Sequence, residues 1–395
     1  MKRICHLKVR GFILAAAFFA GVGFGTSASA QQVQRSYLID LNSKTATDIG
    51  TLGGTGALDS SDARGINDAG QVVGTFLGPA TGTEHAFITG PDGMGMRDIG
   101  TLDGRTTRAF GINEAGQVVG SSVLLEGFEG HPHAFITGPN GMGMRDLGTL
   151  GSCCISHARG INDAGQVVGT ADMDRSPYLP FITGPDGTAM RRLGAFVGDY
   201  GGVASSINNV GQVAGTFVTA EGLSHAFITG PGDTAPRDLG TFGGTGSDDY
   251  SEATGINDAG QVVGWAATSG GALHAFITGP DGMGMRDLGT FGGTSSGAYG
   301  INDAGQVVGY SDTAGGGRHA FITGPNGTGM IDLNSLVDVP GGLVLEQANG
   351  INDAGQVIAV ANIPEPEIYA LFLAGLGLVG FMARRKKTRA APASV

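Results

Sequence analysis

Histidine recurs in this chain at positions 85, 133, 225, 274 and 319, each time opening a His-Ala-Phe triplet. Imidazole is a common metal ligand and a general acid or base near neutral pH, so five copies raise a metal centre first. The spacing argues against one. Each histidine holds the same place in a repeated unit, so the five belong to different structural copies and do not converge within the ~2.1 Å that zinc requires. A hydrogen-bonded structural imidazole fits a residue that meets a similar environment in every copy. A second column is more informative because it varies. An alanine at 63, 109, 158, 204, 253, 298 and 348 is followed in turn by Arg64, Phe110, Arg159, Ser205, Thr254, Tyr299 and Asn349. Guanidinium, aromatic and amide groups suit a glycan or another polar polymer. Arg64, Phe110, Arg159, Thr254, Tyr299 and Asn349 are therefore the candidate ligand-binding residues; the bland alternative is solvent-facing drift.

Two acidic loops make calcium a further candidate cofactor: Asp248, Asp249 and Glu252 in one, Asp172 and Asp174 in the other. Oxygen-rich loops suit that ion, but neither follows the Asp-x-Asp-x-Asp-Gly pattern with its distal Glu. Solvated acids are the simpler reading, and no metal ligand is assigned. His-Glu-x-x-His and a P-loop are missing from the sequence. The expectation is a non-enzymatic protein, with a glycan-acting hydrolase or lyase as the alternative, since catalytic residues on a repeat scaffold scatter over several units.

The elements that position these residues form one unit repeated seven times. Gly65-Ile66-Asn67-Asp68-Ala69-Gly70-Gln71-Val72-Val73-Gly74 recurs with its Ile at 66, 112, 161, 207, 256, 301 and 351. His85-Ala86-Phe87-Ile88-Thr89-Gly90-Pro91 recurs with Phe at 87, 135, 181, 227, 276 and 321, and Tyr37-Leu38-Ile39 stands in that slot at the start. Arg97-Asp98-Ile99-Gly100-Thr101-Leu102 has a counterpart at Thr47–Leu52 and later copies at Leu147, Leu193, Leu239, Leu288 and Leu333. Each unit reads as four short strands. Strand A ends in Gly-Ile-Asn, and an Asn-Asp-Ala-Gly turn leads to strand B, Gln-Val-Val-Gly. Strand C is His-Ala-Phe-Ile; a Gly-Pro-Asp/Asn-Gly turn leads to strand D, Met-Arg-Asp-Leu-Gly.

Four strands in 45–50 residues match a propeller blade, whereas β-solenoid coils use shorter periods. The chain opens with strands C and D and closes with strands A and B, so its two ends together complete one blade and remove two exposed sheet edges. The fold expected over 36–360 is all-β: a seven-bladed β-propeller of four-stranded blades, the last shared by the N- and C-terminal strands. Ile66, Val72, Phe87, Ile88 and Ile99 recur as packing positions between blades. In such a blade the A–B and C–D turns share one face, and here they are nearly uniform. The B–C and D–A loops share the other and carry the variation, as in Ser121–Pro132, Ala171–Leu179, Phe196–Gly202 and Gly246–Glu252. Variable loops on a rigid scaffold are where binding usually resides. The loop face is the expected binding face, with the Arg64 column at its axial entrance if strand A is innermost.

Composition agrees. Glycine makes up 74 of 395 residues, against a usual ~7%, which disfavours long helices. The hydrophobic share of 41% is too high for simple disorder. Nine of the 23 basic residues lie in two terminal clusters, Lys2, Arg3, Lys8, Arg10 and Arg384–Lys387 with Arg389; with Glu365 and Glu367 also set aside, 14 bases and 33 acids give the body a net charge of −19. A surface so acidic repels phosphates, so nucleic acid is excluded as a partner.

Both ends read as addresses. A basic start, an apolar run over 11–24 and the small residues Ala28 and Ala30 make residues 1–30 a cleavable signal peptide, which implies the Sec translocon and signal peptidase as partners. Cys5 leaves with it. Cys153 and Cys154 are adjacent, with Cα atoms ~3.8 Å apart, below the comfortable disulfide range; a strained vicinal disulfide and two free thiols both remain open. At the other end Pro364-Glu365-Pro366 precedes an apolar run over 368–383, expected as a transmembrane helix, and a basic cluster that includes Arg384 and Arg385. The basic flanks stay cytoplasmic and place the body outside.

The tail over 363–389 resembles the PEP-CTERM sorting signal of exported bacterial proteins. That resemblance implies an exosortase-type membrane protease as partner, a transient inner-membrane anchor, and delivery to the cell envelope, surface or an extracellular polysaccharide matrix. Such tails also close some proteins labelled ice-binding, which adds an ice-binding surface protein to the alternatives. The repeats resemble HAF repeats, with the triplet intact in five copies and broken at Leu179-Pro180-Phe181; that resemblance implies no activity. The function expected is a propeller binding scaffold for extracellular polysaccharide or a surface protein.

Overall fold

The computed structural model describes residues 33–52, 60–78, 82–126, 129–151, 155–173, 178–194, 201–232 and 235–363. Ala28, Ala30, Cys5, Cys153, Cys154, Asp174, Pro364, Glu365, Pro366, Arg384, Arg385 and the expected helix over 368–383 lie outside them. Among the described residues no helix is long and apolar enough to cross a membrane.

Val, Ile and Phe in short runs, punctuated by Asn-Asp-Ala-Gly and Gly-Pro-Asp-Gly, give antiparallel four-stranded sheets. In blade 1 these are strands A (Ser61–Ile66), B (Val72–Leu77), C (Glu84–Ile88) and D (Arg97–Asp98), hydrogen-bonded in the order A-B-C-D. Five further blades repeat that order along the chain, with A strands Thr107–Ile112, Ser156–Ile161, Gly202–Ile207, Ser251–Ile256 and Gly292–Ile301. Blade 7 takes A (Leu345–Ile351) and B (Gln356–Ile363) from the end of the body, and C (Val33–Asp40) and D (Thr45–Asp48) from its start. The two ends zip together from Val33 opposite Ile363 to Asp40 opposite Gln356.

The core lies between blades. Val73, Ala86, Ile88 and Ile99 of blade 1 pack against Ala109, Val118 and Phe135 of blade 2. Leu38, Ile49 and Ile358 of blade 7 pack in the same way against Ala63, Val72 and Phe87 of blade 1. Side chains alternate across each strand, so consecutive residues such as Phe87 and Ile88 serve opposite interfaces. The six phenylalanines of strand C are fully buried, with Tyr37 in their place in blade 7. Truncating one phenylalanine to alanine removes about 3–5 kcal/mol.

Each A strand carries a bulge one residue after its alanine: Ala63 pairs with Gly74 and Gly65 with Val73, so Arg64 has no partner. The same shift recurs in the other six blades. In six blades strand B answers with glycine, and a Cβ on Gly120 would clash with the Arg108 carbonyl oxygen; in blade 7 Ala359 stands in that place.

The histidine column is structural. Nδ1 of His85 donates to Asp98 Oδ2 on strand D at 2.9 Å, while Asp98 Oδ1 accepts the Gly100 N–H at 2.7 Å. His133–Asp146, His225–Asp238, His274–Asp287 and His319–Asp332 repeat the pair. Burial raises the Asp146 pKa, but hydrogen bonds from His133 and the Gly148 N–H outweigh it and hold the carboxyl below its ordinary range. Blade 3 has Leu179 and Arg192 in these two places, so both partners change together; in blade 7 Arg35 takes the histidine's place and bonds Asp48 at 3.0 Å.

Candidate functional site

The A strands line the axis of the ring, and three stacked cavities follow it. At the turn face the Asn-Asp-Ala-Gly turns border a space of about 220 Å³. The waist, also about 220 Å³, is walled by the Gly-Ile pairs. At the loop face a cavity of about 280 Å³ is lined by Arg64, Phe110, Arg159, Ser205, Thr254, Tyr299 and Asn349, together with Glu252 and Trp265. All six candidate residues are therefore brought to one cavity. They are the bulged residues of their strands, and a bulge re-aims a side chain that would otherwise pack within the sheet.

The seven are not equivalent. Thr254 Oγ1 donates to the Ala298 carbonyl of the next blade at 2.9 Å, and Asn349 Nδ2 to the Ala63 carbonyl at 2.7 Å. These two spend their donors on the scaffold. Arg64 Nε donates to Asp62 Oδ2 at 2.8 Å, and Arg108, two residues before Phe110, is paired with Glu84. Arg159 has neither a hydrogen bond nor an ion pair within 4 Å among the described residues. Partial enclosure lowers its pKa, Glu252 acts in the opposite direction, and Arg64 adds to the lowering. Desolvation likewise lowers the His157 pKa, helped by the charges of Arg159 and Arg108.

An aromatic group begins at the wall of the same cavity, with Trp265 and Tyr299. Trp265 and Tyr299 meet edge to face with centroids 5.7 Å apart, Tyr299 and Tyr310 lie at 5.9 Å, and the Arg318 guanidinium caps the Tyr310 ring at 3.8 Å. Burial raises the pKa of Tyr299, and that of Tyr250, whose hydroxyl donates to Glu252. The Tyr250 bond fixes that carboxylate at the cavity wall.

Sequence reasoning places neither Trp265 nor Glu252 at this cavity: it passes over the first and groups the second with the loop acids. Trp265 is the chain's only tryptophan and stands where four other blades carry Thr75, Ser121, Thr170 and Thr216 and the remaining two Tyr310 and Val360, a departure from the repeat that points to it. Glu252 is drawn away from the acidic loop. It faces the axis, while Asp249 accepts from Thr241 Oγ1 at 2.6 Å and lies 3.6 Å from His225. Asp172 accepts the Ile155 N–H at 2.9 Å. Among the described residues no three His, Cys, Asp or Glu side chains form a cluster fit for a metal ion.

At the opposite mouth the Asp of Asn-Asp-Ala-Gly is a turn residue that also links blades: the Asp68 N–H donates to Glu114 Oε1, the Glu114 N–H to Asp163 Oδ1, and so on through Asn209, Asp258, Asp303 and Asp353 back to Asp68. Partial burial raises the pKa of Glu114 and of Asp353, and the neighbouring carboxylates add to it.

With this geometry in place, the comparisons with known proteins concern first the tail, where residues 362–386 match the PEP-CTERM protein-sorting motif. The chain carries an export-sorting signal. The motif marks an exported, envelope-directed protein and implies exosortase processing. No curated protein matches the chain. Among solved structures, a puromycin hydrolase S511A mutant complexed with PGG is similar at 12% identity and TM-score 0.50, over 83% of this chain and 60% of that one. A putative TolB from Agrobacterium tumefaciens is similar at 9% identity and TM-score 0.48, over 85% of this chain and 99% of that one. Likeness at these identities shows the propeller fold alone, and the chain spans only part of the hydrolase.

Proposed function

We propose that this protein is an exported, non-catalytic binding scaffold, released through the Sec translocon and signal peptidase. An exosortase then processes the PEP-CTERM tail after a transient inner-membrane anchor, and the propeller is delivered to the envelope or extracellular matrix. There it binds extracellular polysaccharide or a surface protein at the loop-face mouth. The HAF-repeat reading belongs to this proposal and describes the scaffold.

One observation carries the reading: the variable column that follows each strand-A alanine lines one cavity, beside the chain's only tryptophan. Aromatic faces, a guanidinium and a fixed carboxylate are the groups that recognise sugar rings and their hydroxyls. Glycoside hydrolysis usually needs two carboxyl groups across the bond, and among the described residues Glu252 alone supplies one to this cavity. The competing reading is a hydrolase or lyase on the same scaffold.

Glycan-array binding by the purified full-length chain, run beside a reducing-end release assay, separates the two. Retention of a glycan without new reducing ends is expected. Product formation abolished by Glu252→Gln would establish the enzyme instead.

A further inference from the structure

Arg159 differs from the other cationic groups at the loop-face mouth. Arg64 is held by Asp62 and Arg108 by Glu84, and Arg318 lies over Tyr310 and pairs with Asp312 at 3.3 Å. Arg159 lines the same cavity with no hydrogen bond or ion pair among the described residues. Arg159 is exposed to the cavity, so its guanidinium is accessible, and it receives no charge-assisted bond from the described residues. A planar anion supplies one, because guanidinium binds a carboxylate through two parallel N–H donors.

The rest of the wall says what carries that anion. Glu252, fixed by the Tyr250 hydroxyl, accepts hydrogen bonds but repels a second negative group. Trp265, Tyr299 and Phe110 offer apolar ring area. A ligand with one carboxylate, several hydroxyl donors and an apolar ring face satisfies all three. At the loop-face mouth Asp62 is spent on Arg64 and Glu252 is held by Tyr250, whereas the ring of turn carboxylates that follows the A strands, such as Asp68 and Asp163, borders the other mouth of the axis.

We propose that the loop-face cavity takes an acidic sugar, a uronic-acid residue of a polysaccharide, with its carboxylate on Arg159 and its hydroxyls on Glu252. This rests on the saccharide-binding reading of the same cavity and adds the charge class.

The test is calorimetric titration of the full-length chain with trigalacturonate and with neutral maltotriose, at low and high salt. Wild type binds trigalacturonate more tightly, and the preference shrinks as salt rises. Arg159→Gln weakens trigalacturonate by about 10- to 100-fold, the value of one hydrogen bond to a charged group, and weakens maltotriose by less, so the preference is lost. Arg159→Lys keeps part of the preference because it keeps the charge. Should Arg159→Gln not fold, the salt dependence of wild type and the Arg159→Lys result still decide. Equal affinity for the two trisaccharides, or a preference that survives Arg159→Gln, overturns the acidic-sugar inference and leaves saccharide binding standing. Binding of neither sugar overturns both. Tighter binding of a polyglutamate peptide overturns the choice of a sugar over a protein partner.

Discussion

The side-chain amide of Asn352 donates to the backbone carbonyl of Asn67 at 2.9 Å across 285 residues of sequence. It repeats what Asn67 does to Asn113, Asn208 to Asn257 and Asn302 to Asn352. Each of these asparagines also bonds the glutamine four residues on, as Asn352 bonds Gln356 Oε1 at 2.8 Å. The join between the chain's ends is thus made with the same bonds as any internal blade interface.

Closure predicts equivalence. Asn352→Ala and Asn208→Ala each strand a buried carbonyl partner and should cost the same, about 1–3 kcal/mol, by urea denaturation. Deleting Gly350–Val360 should cost far more, because it removes strand B of blade 7 from between two cores. An Asn352→Ala variant as stable as wild type would mean that the ring is open.

The acidic ring at the turn face predicts a stabilising substitution. Glu114 and Asp353 have pKa values raised by burial and by neighbouring carboxylates, so their ionised forms work against folding above the ordinary carboxylate range. Stability from this source falls as pH rises through the raised values. Asn209 already fills one place, its Oδ1 accepting the Asp163 N–H at 3.0 Å. Asp353→Asn should keep the corresponding bond and stabilise the protein at pH 7 by about the few tenths of a kcal/mol typical of exposed charges, read as a higher melting temperature. The gain should shrink in high salt.

His157 predicts the opposite pH response. Its pKa is lowered by desolvation and by Arg159 and Arg108, so as pH falls the unfolded chain takes up the proton first. The stability it contributes is complete above its ordinary value of 6.5 and declines as pH drops from there through the lowered value. His157→Gln should flatten the melting profile across that interval, and an unchanged slope there would discount the assignment.

Much of the fold was legible because seven copies of one pattern leave few alternatives. The offset start, with strands C and D before any A, specified the shared blade before any contact was known. The lining of the loop-face mouth was legible as the column after each alanine, since side chains that vary stand out beside a constant alanine. The rest depends on register and neighbours. That Arg64 and Arg159 are bulged residues is a pairing property, written only indirectly in the strand-B glycine, such as Gly120, that six of the seven blades carry. The Asp68–Glu114 link joins residues in different blades and looks like ordinary turn chemistry in either copy. Glu252 seemed one of three loop acids until strand A turned it towards the axis.

The account's central claim is that ligand is held at the loop-face mouth, and paired variants at the two mouths test it most directly. Glycan binding by Phe110→Ala/Tyr299→Ala should fall by at least tenfold, an amount typical of losing aromatic anchors. Binding by Asp163→Asn/Asp258→Asn, at the opposite mouth, should match wild type. Full binding by the aromatic variant, or loss in the turn-face variant alone, would contradict the account.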